Sequence, residues 1–139
     1  MTALGIQSPT SQPLESEKDI AASRRMVRQL AQELGFSLVD QTKLVTAASE
    51  LARNTVKYGG GGVVRIESLV VDGRTGIRLE FVDEGPGIAD IEQAISDGFT
   101  SGGGLGLGLG GAKRLVNDFE IESRVGVGTR VTITRWRSG

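Results

Sequence analysis

Ile77-Arg78-Leu79-Glu80-Phe81-Val82-Asp83-Glu84-Gly85-Pro86-Gly87 begins as a strictly alternating strand and ends in a glycine-proline turn. Ile77, Leu79 and Phe81 share one face of that strand, and Asp83 continues the same parity, so a carboxylate is aimed where the apolar residues point. A carboxylate turned inward without a donor is costly, so the fold must supply hydrogen bonds. A ligand amine such as the exocyclic amine of adenine is a fitting donor, and the Gly85-Pro86-Gly87 turn would let a flat ring approach backbone. The plainer alternative is a strand-end aspartate capping its own turn.

Outward from this strand, Val63 to Val71 is rich in β-branched residues and reaches Ile77 through an Asp72-Gly73 turn, which reads as an antiparallel hairpin. A second hairpin closes the sequence, with Phe119 to Arg124 and Thr129 to Trp136 joined at Gly126-Val127-Gly128. Ahead of both lie two helical patterns. Ile20, Val27, Leu30, Ala31 and Leu34 recur between a Ser16 N-cap and Gly35, and Leu44, Ala47, Ala48, Leu51 and Thr55 follow Asp40 and stop at Gly59. The spacing further predicts a short helix over Asp90 to Asp97 and a third main helix over Gly106 to Asn117. Strands and helices are segregated, which predicts an α+β fold: a two-layer sandwich with a mixed, mostly antiparallel sheet and helices on one face. Residues Met1 to about Gln12 are polar and aperiodic and predict a disordered or edge-attached tail. The expected division is a flexible tail over 1–13 and a single domain over 14–139.

At 139 residues, one domain can bury a core without staples. With 16 basic and 17 acidic residues the net charge is −1, which supplies no basic field for nucleic acid or an anionic membrane. The absence of histidine and cysteine removes imidazole and thiol chemistry and Cys/His zinc sites, so any catalytic base must be a carboxylate. No apolar run approaches the roughly 20 residues of a membrane span, and no signal-peptide pattern opens the chain, so a soluble cytoplasmic protein is expected. The 21 glycines are the outlier, gathered at 59–62, 85–87, 102–111 and 126–128.

Glu50 and Asn54 stand four residues apart on the second helical pattern, side by side on one shoulder of its apolar stripe, with Arg53 opposite. A half-shielded carboxylate there can orient or deprotonate a hydroxyl, and the neighbouring amide oxygen can hold Mg²⁺; an ordinary solvated pair is the competing reading. Thr129 has the parity of Val131 and Ile133, so its hydroxyl can face the interior beside Asp83. The run from Gly102 to Gly111 leads into Ala112-Lys113-Arg114-Leu115-Val116, and a glycine loop entering a helix offers free amides to phosphate. Gly106-Leu107-Gly108-Leu109-Gly110-Gly111 matches G-x-G-x-x-G but lacks an abutting strand and the following acidic residue of a dinucleotide fold, and no Walker P-loop is present.

Taken in order, Glu50-x-x-x-Asn54, Asp83-Glu84-Gly85-Pro86-Gly87, Gly104-Leu105-Gly106-Leu107-Gly108 and Gly126-Val127-Gly128-Thr129 resemble the nucleotide-binding boxes of the GHKL (Bergerat-fold) superfamily, over about Ser16 to Arg137. Glu33-Leu34-Gly35-Phe36, Val39-Asp40-Gln41, Ser49 to Asn54, Asp97 to Ser101 and Trp136 are similar to its serine/threonine switch kinases of the stressosome. The resemblance implies ATP and Mg²⁺ as cofactors, with Asn54 as the Mg²⁺ ligand and Glu50 as general base. It implies that Asp83 reads the adenine amine, that Gly85, Gly87 and Ile88 lie against the ring, and that Thr129 supports Asp83. It assigns the phosphates to Gly104, Leu105, Gly106, Leu107 and Gly108. It further implies a STAS-domain protein as phosphoacceptor and a PP2C-type phosphatase as a second partner. Its sister branches instead bind a sigma factor, and a stand-alone ATPase is a further alternative.

Overall fold

The computed structural model describes residues 9–95 and 108–138. Their order is β1 (Thr10–Leu14), α1 (Glu17–Glu33), α2 (Leu38–Lys57), β2 (Gly62–Val71), β3 (Arg74–Asp83), α3 (Ile91–Ala94), α4 (Leu109–Arg114), β4 (Asp118–Arg124) and β5 (Gly128–Trp136). The strands form one sheet in the order β1-β2-β3-β5-β4. Every described pairing is antiparallel, so the mixed sheet expected from sequence is corrected to an antiparallel one. Of the two readings of the tail, Thr10–Pro13 follow the edge-attached one: they belong to β1, because Thr10–Leu14 pair with Gly62–Ile66 along the edge of the sheet.

The first hairpin turns where Asp72-Gly73 predicted. Both residues have positive φ, 53° and 77°, and Val71 pairs directly with Arg74, the two-residue turn whose twist suits the strands on either side. Val64, Ile66, Ile77, Leu79, Phe81, Val131 and Ile133 are buried on one face of the sheet, against the helices. Each large side chain among them contributes roughly 2 kcal/mol by leaving water. On the other face, Arg65 with Glu80 and Arg78 with Glu67 form cross-strand ion pairs. Trp136 lies on that face too. A Cβ on its neighbour Gly76 would come within 2.7 Å of the indole, so glycine there is what lets the ring lie flat on the sheet.

Helix α1 ends as its Gly35 predicted. Gly35 has φ 80°, its amide donates to Gln32 O, and Phe36 N donates to Ala31 O, a paired closure that satisfies the last carbonyls. Helix α2 begins earlier than the pattern expected to follow Asp40, because its cap is Ser37. The Ser37 hydroxyl accepts from Asp40 N at 3.1 Å, which places Asp40 inside the first turn. Its carboxylate is buried at 2% exposure, where Arg135 donates to Oδ1 through Nε and Nη2 at 3.2 and 2.6 Å, and Ser138 donates through its hydroxyl and amide at 3.1 Å each. Burial alone would raise the Asp40 pKa. The Arg135 hydrogen bonds, then those of Ser138, outweigh it and hold the carboxyl at about 2.

Helix α4 is shorter than the third main helix expected over Gly106 to Asn117. Arg135 Nη1 takes the Leu115 carbonyl at 2.8 Å, and Asn117 N already donates to Thr134 O, so the chain has left the helix for the sheet. The short helix expected over Asp90 to Asp97 is present as α3, with the Asp90 carboxylate accepting from Gln93 N at 3.0 Å. Positions 96 and 97 lie outside the described residues.

Candidate functional site

A cleft opens between the C-terminal half of α2, the end of β3 and the start of β5. Leu51, Phe81, Ile88, Leu109 and Val131 give it apolar walls, while Asn54, Thr55, Tyr58, Asp83 and Thr129 supply polar groups, with Gly59, Pro86 and Gly87 completing the lining. The elements that carry these residues were read from sequence, and their convergence follows from topology: β5 pairs directly with β3, which sets Thr129 opposite Asp83.

Asp83 is half-buried, as its parity with Ile77, Leu79 and Phe81 predicted. Desolvation raises its pKa above the ordinary 3.8, while the amides of Gly85 and Thr129 pull the other way. The Gly85 bond is 2.9 Å, on Oδ1, so Asp83 also makes the turn-capping bond of the plainer reading. That leaves a carboxylate held by two amides at the wall of an apolar cleft.

Two glycines make room for it. A Cβ on Gly59 would come 2.4 Å from the Asp83 Cγ, and one on Gly85 would come 2.7 Å from Gly59 Cα, so carboxylate, helix end and turn fit only without side chains. Gly59 was read from sequence as a helix stop alone. Its second use is visible only once β3 is seen to end beneath α2. Gly87 has φ 78°, and a Cβ on it would meet the Arg124 carbonyl at 2.3 Å. Pro86 O accepts from Gly126 N at 2.8 Å, so the turn after β3 rests on the turn between β4 and β5.

Glu50 stands one turn before Asn54 on α2, beside the cleft and outside its lining. Its side chain is 41% exposed, and its carboxylate lies 3.8 Å from Arg53 Nη1. Arg53 is therefore a neighbour of Glu50, not opposite it: three residues advance a helix by about 300°, which returns the side chain to within 60° of its starting direction. Gly108, with φ 78°, caps α4 against this carboxylate, and a Cβ on it would come 2.4 Å from Glu50 Oε1. Gly104, Leu105, Gly106 and Leu107 lie outside the described residues.

The cleft meets the demands of an adenine nucleotide on three counts. Its walls are apolar, its Asp83 acceptor is partly desolvated, and its glycines hold open the space around that acceptor. For Mg²⁺ the nearby donors are hard oxygens, the Asn54 amide and the Glu50 carboxylate, and among the described residues no three carboxylates gather into a self-sufficient metal site. Sequence reading missed Tyr58, Thr55, Leu109 and Ser123. The Ser123 hydroxyl accepts from Ile88 N at 2.7 Å and lies 2.7 Å from Thr129 Oγ1. Its alternation with Phe119 and Ile121 on β4 was the available signal.

The profile of the family described as "Histidine kinase-, DNA gyrase B-, and HSP90-like ATPase" matches residues 39–138. Serine/threonine-protein kinase RsbT of Bacillus subtilis is 46% identical over 121 residues, covering 87% of this chain and 91% of that protein. An anti-sigma F factor of Caldanaerobacter subterraneus is 27% identical over 129 residues, 88% of this chain and 89% of its own. Among solved structures, the RsbU and RsbW domains of a Mycobacterium tuberculosis protein superpose with a TM-score of 0.65 at 23% identity, over 96% of this chain and 34% of that one, a likeness of fold. No described helix is long and apolar enough to cross a membrane.

Proposed function

Since the chain belongs to the histidine kinase-, DNA gyrase B- and HSP90-like ATPase family, we propose that it is an ATP-dependent protein serine/threonine kinase of the partner-switching type. Its acceptor is a hydroxyl of a STAS-domain protein, with a PP2C-type phosphatase as the second partner, in the cytoplasm. The observation that carries the nucleotide reading is Asp83, an inward carboxylate in a glycine-cleared apolar cleft. The similarity to RsbT over nearly the whole of both chains supports the transfer to serine or threonine.

In this reading Asp83 accepts from the adenine amine, Gly85, Gly87 and Ile88 line the ring, and Thr129 supports Asp83 from the neighbouring strand. Asn54 holds Mg²⁺, which neutralises phosphate charge when bound. Gly104 to Gly108 supply amides to the phosphates. Glu50, exposed beside the cleft, orients the partner's hydroxyl and takes its proton as the phosphoryl group transfers. With no histidine in the chain, that base is a carboxylate.

The test is transfer of labelled γ-phosphate from Mg-ATP to STAS-domain proteins by wild type, Glu50→Ala and Asp83→Asn. Serine or threonine labelling that needs both side chains supports the reading; ATP binding without transfer to any candidate overturns the kinase assignment, and absence of nucleotide binding overturns the site. The likeness to anti-sigma F factors favours a second reading, direct binding of a sigma factor, which a nucleotide-dependent pull-down with purified sigma factors would reveal.

A further inference from the structure

None of the residues lining the cleft carries a positive charge, although a nucleoside triphosphate is strongly anionic. Beside the cleft, the exposed side of α2 carries two cations, Arg53 and Lys57. Lys57 is paired with Glu17 at 3.2 Å, which ties the end of α2 to the start of α1. Arg53 is less committed. Its Nη1 stands 3.8 Å from Glu50 Oε2, beyond hydrogen-bond distance, and among the described residues its N–H groups make no hydrogen bond. The order of side chains around the helix gives that guanidinium a use. At about 100° per residue, Asn54 lies about 40° from Glu50 on one side and Arg53 about 60° on the other. Asn54 lines the cleft, so Glu50 stands between an amide that faces the nucleotide and a guanidinium that faces solvent. A phosphoryl group that leaves a nucleotide for a hydroxyl held at Glu50 travels outward, from Asn54 towards Arg53.

We propose that Arg53 is a further catalytic residue, which leaves Glu50 for the γ-phosphoryl group and stabilises its charge during transfer. This rests on the kinase reading above. The acceptor oxygen forms a bond to Pγ, the bond from Pγ to the β,γ-bridging oxygen breaks, ADP leaves with that electron pair, and the hydroxyl proton passes to Glu50. Arg53 gives up no proton. Its planar fork holds two of the equatorial oxygens over which the charge of the transferring group is spread. The same movement separates the one ion pair that Glu50 makes among the described residues, so its carboxylate is released to the hydroxyl when the phosphate is in place. An exposed pair at this distance contributes little to stability, so its separation costs little.

Calorimetric titration of the full chain with Mg-ATP and with Mg-ADP, together with transfer rates to the STAS-domain protein that the wild type labels, separates this role from a structural one. Arg53→Ala should weaken ATP about tenfold, the worth of a hydrogen bond to a charged group, and ADP less than about twofold. It should lower kcat for transfer about a hundredfold, with KM for the acceptor protein unchanged. Arg53→Lys, which keeps the charge and loses the fork, should recover ATP affinity and kcat only in part. The melting temperature should not move, since the side chain is exposed and alanine suits a helix. Equal loss of ATP and ADP, a lower kcat with both nucleotide affinities unchanged, a raised acceptor KM at unchanged kcat, or transfer indifferent to the substitution overturns the role of Arg53 while leaving the kinase reading standing. ATP binding by the wild type with no transfer to any STAS-domain protein overturns both.

Discussion

Removing one partner of the Asp40–Arg135 pair should cost about 3 kcal/mol of stability, within the range of roughly 3–5 kcal/mol for a buried ion left without its counter-ion. The carboxylate is 2% exposed and the Arg135 side chain 13%, so neither charge can turn to water in place. For a domain of this length the total stability is about 10 kcal/mol, so the loss is a large fraction of it. Asp40→Leu with Arg135→Met should cost much less than the sum of the single changes, because apolar replacement of both partners leaves no stranded charge. Trp136, the single tryptophan, follows Arg135 and reports urea unfolding by its fluorescence. The sign with pH is fixed by the carboxyl. Its folded pKa, about 2, lies below the unfolded 3.8, so its contribution is fully present above about pH 4 and is lost as pH falls through 2. That depression is worth roughly 2 kcal/mol, so the stability gap between wild type and Asp40→Asn should narrow by that amount between pH 5 and pH 2. Single substitutions costing under about 1 kcal/mol, additive costs in the double variant, or a gap independent of pH would each refute the reasoning.

Gly59→Ala should abolish measurable ATP binding in calorimetry, since the new methyl would stand 2.4 Å from the Asp83 Cγ and 2.6 Å from its Cβ and would displace the carboxylate from its place in the cleft. Asp83→Asn should weaken ATP binding yet raise the melting temperature of the nucleotide-free protein above neutral pH, because desolvation makes the ionised carboxylate costly there; a lowered melting temperature would contradict this. In the wild type, ATP affinity should fall as pH drops through the raised Asp83 value, above the ordinary 3.8, and Asp83→Asn should flatten that profile. Gly108→Ala, which strains a φ of 78° and presses on the Glu50 carboxylate, should lower phosphoryl transfer more than nucleotide affinity; equal losses would place Glu50 outside the chemistry.

Local chemistry was legible wherever a residue's use was decided by its own strand or helix. The Asp72-Gly73 turn, the Gly35 helix stop and the inward parity of Asp83 all follow from the period of two or 3.6 and the conformations that glycine and aspartate allow. What stayed hidden depends on contacts between distant segments. In sequence Asp40 only stands ahead of the second helical pattern, and the arrival of Arg135, 95 positions later, makes it a buried ion. The early end of α4 has the same cause, since the Leu115 carbonyl is taken by that guanidinium. Thr10–Pro13 read as a tail because a five-residue edge strand carrying a proline has little alternation to show. Gly59 and Ser123 hide for a related reason: their use depends on which strand end and which loop lie opposite, and spacing along one segment does not carry that information.

The geometry of the Asp40–Arg135 pair also bears on what the site can tolerate. Helix α2 carries Asp40 in its first turn and Glu50 and Asn54 beyond its middle, about 15 and 21 Å further along at 1.5 Å per residue. Strand β5 carries Thr129 at its start and Arg135 near its end, about 20 Å apart at 3.3 Å per residue. The two elements that supply opposite walls of the cleft are thus pinned at the end remote from it, and the same guanidinium holds the C-terminal end of α4, whose first residues meet Glu50 at Gly108. Conserving volume but removing charge at positions 40 and 135 should therefore lower the cost of opening the remote end before it changes the shape of the cleft. Amide exchange should then speed up first in the opening turn of α2 and the closing residues of β5, ahead of any change at Asp83, Thr129 and Ser123.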